Sequence, residues 1–207
     1  MTRGNKRLVL FDLDGVIVDS RKNMEVSWSA VRATYDIDIE FESYFRHIGR
    51  PFLDIMEKLG LEKDGENIHR IYNVVSSSRL DLIEEFPGIS EVIRELRKNK
   101  LVVGLVTSKD KERTLEIVRK LDLLFDVIDC PEKGQRGKPN PDPLMRAMLQ
   151  CQKDPADTIY IGDMQVDYEA TARAGVDYMH ANWGYGECDA KTKKLDSSGE
   201  ILKALLG

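Results

Sequence analysis

Asp12 and Asp14 stand two residues apart at the end of the apolar run LVLFDLDG, residues 8–15. Two carboxylates so placed repel each other unless a cation lies between them, and oxygen ligands suit a hard divalent ion such as Mg2+. Asp-x-Asp-Gly also describes a strand end finished by a solvated turn, because Asp and Gly are ordinary turn residues. Three further groups recur in similar settings. Thr107-Ser108-Lys109 follows the run VVGLV and offers hydroxyls and turn amides to an anion, although Ser and Thr also cap helices. Lys138 opens KPNPDP, where prolines stiffen the approach to a helix and hold an ammonium at its entrance. An ordinary surface lysine fits that place too. Finally, GDMQVD, residues 162–167, follows TIYI and presents Asp163, with Asp167 one helical turn further on. Asp163 could equally cap that helix.

The elements that must carry these groups alternate. Short apolar runs predict strands over residues 8–11, 102–106, 126–129, 158–161 and 177–181. Apolar spacings of three and four predict helices over 90–98, 111–121, 142–150 and 166–174, with an amphipathic helix at 199–206. Strand alternating with helix predicts a doubly wound parallel sheet, and the acidic and hydroxyl groups then fall at strand tips, where such sheets keep their chemistry. Residues 21–86 break the rhythm. They offer helices at 24–35, 51–59 and 66–85 and no strand, and Pro87-Gly88 closes them off. A small helical bundle placed over the first strand's tip, able to act as a lid, follows; a segment packed on one sheet face also fits.

Bulk properties narrow the partners. Net charge is −5 over 207 residues, with no Lys/Arg cluster, which argues against a nucleic-acid surface or an anionic membrane anchor. No apolar stretch approaches the roughly 18 residues of a membrane span, and a short basic tip leads directly into the first strand, so the chain reads as cytoplasmic. Cys130, Cys151 and Cys188 are too few and too scattered for a disulfide framework or a zinc site, and His47, His69 and His180 read as surface or packing residues.

The ordered set Asp-x-Asp-Gly, Thr-Ser, Lys-Pro, Gly-Asp-x-x-x-Asp resembles the haloacid dehalogenase-like (HAD) hydrolase superfamily over nearly the whole chain. With FPGISEVIRELR, GKPNPDP, IGDMQVD and WGYG, it most resembles the phosphoglycolate phosphatase-like branch. These motifs mark the superfamily, not a substrate. The resemblance implies an α/β, Rossmann-like core, residues 1–20 and 87–207, with an inserted α-helical cap, 21–86. It implies a Mg2+-dependent phosphatase of a small phosphorylated metabolite, a phosphoglycolate-like acid or a sugar phosphate, acting as monomer or homodimer. Asp12 would be the nucleophile, forming an aspartyl-phosphate, and Asp14 the general acid and then base. Thr107, Ser108 and Lys138 would bind the phosphate. Mg2+ would be held by the side chains of Asp12 and Asp163 and the backbone carbonyl of Asp14, with Asp167 helping through water or from behind the ligands. Gly49 and Arg50, in the loop His47-Ile48-Gly49-Arg50-Pro51, would reach the substrate, though Arg50 also fits a solvated helix start. Asp14 argues against carbon–halogen chemistry, since the dehalogenases lack that aspartate. A mutase of the β-phosphoglucomutase type would resemble a direct acidic pair where this chain has Gly162 before Asp163. A non-catalytic relative that binds a phosphorylated metabolite or a protein partner would be expected to have lost Asp12, Asp14 or Lys138.

Overall fold

All four residues of strand β1 (Leu8–Phe11) are buried, which an apolar run achieves only with cover on both faces. Val9 and Phe11 enter one apolar cluster, Leu8 and Leu10 another, as the two-residue period of a strand requires. The computed structural model describes residues 6–207, so the start of the basic N-terminal tip, residues 1–5, lies outside them. After β1 come the short strand β2 (Val18–Asp19) and helices α1 (Arg21–Tyr35), α2 (Phe41–Phe45), α3 (Phe52–Lys58) and α4 (Gly65–Ser78). The chain returns along β3 (Glu84–Glu85), antiparallel to β2. Then follow α5 (Ile89–Lys98), β4 (Val102–Val106), α6 (Lys111–Lys120), β5 (Val127–Asp129), α7 (Asp142–Cys151) and β6 (Thr158–Gly162). The chain finishes with α8 (Gln165–Ala174), β7 (Asp177–Ala181), β8 (Lys193–Leu195) and α9 (Gly199–Leu205).

Six strands form one parallel sheet in the order β5-β4-β1-β6-β7-β8. The chain winds outward from β1 first to one side and then to the other. That reversal leaves a crevice beyond the C-terminal ends of β4, β1 and β6. Helix α5 covers one face with the stripe Ile89, Val92, Ile93 and Leu96, and α7 covers the other with Leu144, Ala147 and Met148. Helices α1 to α4 bury a third cluster of their own, in which the Trp28 ring stacks on Tyr44 with centroids 4.6 Å apart. Met164 and Tyr185, from the sheet side, pack against that cluster.

The expected helix over 66–85 stops at Ser78. Buried Asn23 donates to the carbonyls of Ser76 and Arg79, at 2.9 and 2.8 Å, and so ties off the helix end. The chain turns there, Ile83 enters the core, and Glu84–Glu85 becomes extended where no strand is expected. Three further elements go unannounced by the sequence pattern, the first of them the two-residue β2. Helix α2 has five residues, too few to display a helical period, and β8 buries only Leu195 behind two exposed lysines. All three cysteines are free, and among the described residues no helix is long and apolar enough to cross a membrane.

Candidate active site

Asp12, Thr107 and Asp163 are the first residues beyond β1, β4 and β6, so the parallel sheet delivers them to one edge. The Asp12 amide still donates to the Ile161 carbonyl at 2.9 Å, which keeps this residue in the ladder. Its Oδ1 accepts from the Leu13 amide at 2.8 Å, and its Oδ2 lies 2.9 Å from Lys138 Nζ. That ammonium, 1% exposed, also donates to Asp167 Oδ1 at 2.7 Å and to the Tyr160 hydroxyl at 3.0 Å, which passes a hydrogen bond on to the Val106 carbonyl at 2.9 Å. All three protons of the Lys138 head are therefore placed. Burial alone would lower its pKa, but Asp12 and Asp167 hold it above the usual lysine value. Lys138, expected as a phosphate ligand, thus ties the β1 tip to α8. Asp167 uses its second oxygen on the amides of Asp163 and Met164, at 3.2 and 3.0 Å, closing the first turn of α8.

Asp12, Asp163 and Asp167 bring carboxylate oxygens within 4.8 Å of one another, all buried. Unit charges about 4 Å apart repel by roughly 4 kcal/mol at an effective dielectric of about 20, and Lys138 balances one of the three. Burial pushes the Asp12 carboxyl above its usual range, Lys138 pulls it back, and Asp167 pushes it up again. Burial, then Asp167 and Asp12, hold Asp163 well above the usual range too. Asp163 Oδ2 accepts from the Tyr185 amide at 2.7 Å, whereas its Oδ1 is buried with no hydrogen-bond partner. An orphaned carboxylate oxygen amid excess negative charge is what a cation would complete, so the set fits a hard divalent ion. The approach is tight. Gly15 turns with φ +86°, and a Cβ there would collide with the Asp163 carboxylate.

Asp14 points toward the other rim of the crevice. Ser20 Oγ donates to its Oδ1 at 2.5 Å, and Lys109 Nζ lies 3.2 Å from its Oδ2. The Tyr185 hydroxyl anchors the same turn by accepting from the Ser20 amide at 2.6 Å. Burial, and next the charge of Arg113, hold the Lys109 ammonium below its usual pKa, against the pull of Asp14.

A cavity of about 50 Å³ lies between the strand tips and the helices, with Asp12, Asp14, Thr107, Lys109, Arg50 and Arg113 in its walls. Thr107 Oγ1 accepts from the Lys109 amide at 3.2 Å, which leaves its O–H as a donor. Ser108 differs from the expectation of a phosphate-binding hydroxyl: its Oγ donates to the Gly49 carbonyl at 2.6 Å and fastens the loop carrying Arg50 to the β4 tip. Gly49 itself has φ +83°. His69 packs as expected, its ring stacked on Phe52 with centroids 4.5 Å apart, and from there it also joins the cavity wall, 4.0 Å from Asp110.

The residue-by-residue reading misses Lys109, Tyr185, Tyr160 and Arg113. Lys109 has a signal, its adjacency to Thr107-Ser108, and Tyr185 stands in WGYG. Arg113 has a fainter one: it precedes Ile117 by four residues, which puts a charge on the buried face of α6.

Residues 9–181 match the haloacid dehalogenase-like hydrolase family. Among curated proteins, the chain is 27% identical over 206 residues to the pyrophosphatase PpaX of Bacillus mycoides, and 28% identical to that of Bacillus cereus, covering 95% of both partners each time. Among solved structures it superposes on a predicted phosphatase from Clostridium acetobutylicum with a TM-score of 0.87, at 22% identity and over 98% and 99% of the two chains. CbbY from Rhodobacter sphaeroides, crystallised with xylulose-1,5-bisphosphate, gives a TM-score of 0.83 at 18% identity over 97% and 99%. At these identities the structures speak for the fold.

Proposed function

The chain belongs to the haloacid dehalogenase-like hydrolase family, and from that footing we propose that it is a divalent-metal-dependent phosphatase of a small phosphorylated metabolite. The observation that carries the reading is the buried triad of Asp12, Asp163 and Asp167 with its orphaned oxygen, whose member Asp12 also lines a cavity with Asp14 and Thr107. Asp12 attacks phosphorus and forms an aspartyl-phosphate, splitting one difficult displacement into two. For that it must be ionised, a state that burial opposes and Lys138 favours. Asp14, oriented by Ser20 and Lys109, donates a proton to the leaving alkoxide and then takes one from the water that attacks the intermediate. The Thr107 hydroxyl donates to the transferring group, whose developing charge is also met by the turn amides after β4. A cation such as Mg2+, held by the Asp12 and Asp163 side chains and the Asp14 carbonyl, would screen the phosphate charge that otherwise repels the attacking carboxylate. Helices α1 to α4 act as a cap, joined to the core by β2 and β3.

Cavity size bears on the substrate. One water needs roughly 10–15 Å³, so about 50 Å³ holds only a few waters, and the part of a substrate that enters this half-open cavity is small. A phosphoglycolate-like acid fits that scale, and the name of the PpaX relatives adds pyrophosphate to the substrates worth testing.

The test is hydrolysis of an aryl phosphate with and without metal. Excess EDTA abolishes turnover and Mg2+ restores it, whereas Ca2+, with its larger and looser shell, occupies the site and inhibits. Undiminished turnover in chelator would rule the reading out. Without a cation, Asp12 and Asp163 keep protons in the folded chain that the unfolded chain has released, so stability falls as pH rises from the ordinary carboxylate range through their raised values. Cation binding displaces those protons. The Mg2+-induced rise in thermal midpoint is therefore larger at about pH 8 than at about pH 6, as calorimetry can check.

A further inference from the structure

Arg113, near the start of α6, is a buried cation with unused hydrogen-bonding capacity in the wall of the candidate active site. Its side chain is 5% exposed. Nη1 donates to Asn73 Oδ1 at 3.3 Å and lies 3.6 Å from Asp110 Oδ2. Nη2 is buried with no hydrogen-bond partner. The guanidinium lies over the Tyr72 ring, 5.2 Å from its centroid, so it is held between α4 and α6. A guanidinium does not lose its proton in proteins, so burial cannot silence this charge as it can for a lysine.

The other buried cations around the strand tips are matched. Lys138 sits between Asp12 and Asp167, and Lys109 faces Asp14. Asp110, the one carboxylate beside Arg113, also accepts from the Arg113 amide as the cap of α6 and stands 4.0 Å from His69. A buried charged donor with an unused N–H, on a side chain that lines a cavity, is the mark of a ligand group. The shape of the donor is specific, because a guanidinium edge presents parallel N–H groups to a carboxylate or a phosphate.

Building on the phosphatase reading, we infer that Arg113 receives a second anionic group of the substrate, a carboxylate or a second phosphate, joined by a short link to the phosphoryl group over Asp12. Asp12, Thr107 and Arg113 share the walls of one cavity, which keeps the link short. Arg113 is thereby a specificity-determining residue contributed by the core, whereas Arg50 approaches from the loop that Ser108 fastens.

The test compares 2-phosphoglycolate and pyrophosphate with ethyl phosphate, whose tail is neutral, in the wild type and in Arg113→Met, which keeps length and loses charge. The readout is each acid's kcat/KM divided by that for ethyl phosphate, so effects common to all substrates cancel. That ratio falls by about 10- to 100-fold in Arg113→Met for whichever acid the site takes, the loss expected of a charge-assisted hydrogen bond. The acid that loses more identifies carboxylate or phosphate as the tail. Ratios within about threefold of wild type for both acids, in folded variant, would overturn the assignment. If Arg113→Met does not fold, Arg113→Lys replaces it: the point charge without the fork lowers the ratio by about three- to tenfold, and an unchanged ratio counts against the proposal. Calorimetric binding of the same three compounds without metal separates the two readings. A chain that hydrolyses nothing but still prefers an acid through Arg113 overturns the phosphatase and keeps the subsite; equal affinities for all three in the wild type overturn the subsite.

Discussion

Asp12→Asn lowers turnover of an aryl phosphate by about four orders of magnitude or more, while circular dichroism and the melting transition show a folded chain. The amide keeps the carboxyl's shape, and its oxygen can still accept from the Leu13 amide or from Lys138. What it loses is the charge that attacks phosphorus. Stability should not fall with activity, because the substitution removes one of three crowded negative charges. Retention of more than a few per cent of wild-type turnover would show that another group is the nucleophile.

The second large effect falls on stability and activity together. Lys138→Met removes the one ammonium shared by Asp12 and Asp167 and leaves Tyr160 without its donor. Breaking a buried pair from one side costs about 3–5 kcal/mol, and for a chain of this size that lowers the melting temperature by roughly 10 °C. Turnover falls by about a thousandfold as well, since Asp12 is then both misplaced and harder to ionise. Lys138→Arg should not rescue it. A planar fork cannot reach three acceptors arranged around a single nitrogen. A variant that melts with the wild type and turns over normally would mean that Lys138 is dispensable to both.

Much of this site could be read before its structure, for a definite physical reason. A parallel sheet puts every strand's C-terminal tip on one edge, so finding the apolar runs before Asp12, Thr107 and Asp163 was enough to bring these residues together. Strands β4 and β7 span the residues expected of them, 102–106 and 177–181. Partner choice was harder to read, because it depends on segments distant in the chain. Ser108 has a hydroxyl in any sequence reading, but only the folded loop 59 residues earlier decides that the Gly49 carbonyl receives it. Asn23 ends α4 from 53 residues away, and Tyr185 reaches the Ser20 turn across 165. Arg113 shows the same limit. Its place on the apolar side of α6 hinted at burial, yet nothing local revealed that Asn73, Asp110 and Tyr72 would hold it with one nitrogen unpaired.

The claim at the centre of the account is that Asp12 itself carries the phosphoryl group. Asp14→Asn removes the base that activates water but leaves Asp12, Lys138 and the metal carboxylates in place, so an aryl phosphate with a good leaving group should load the enzyme faster than water unloads it. Acid quenching of that variant during turnover, followed by borohydride reduction, converts an acyl phosphate to an alcohol at the residue that bore it. Peptide mass spectrometry should then find homoserine at position 12, and only in samples that contained both substrate and Mg2+. Unmodified Asp12 in a variant that has released a burst of aryl alcohol, or the label on another side chain, would contradict the account.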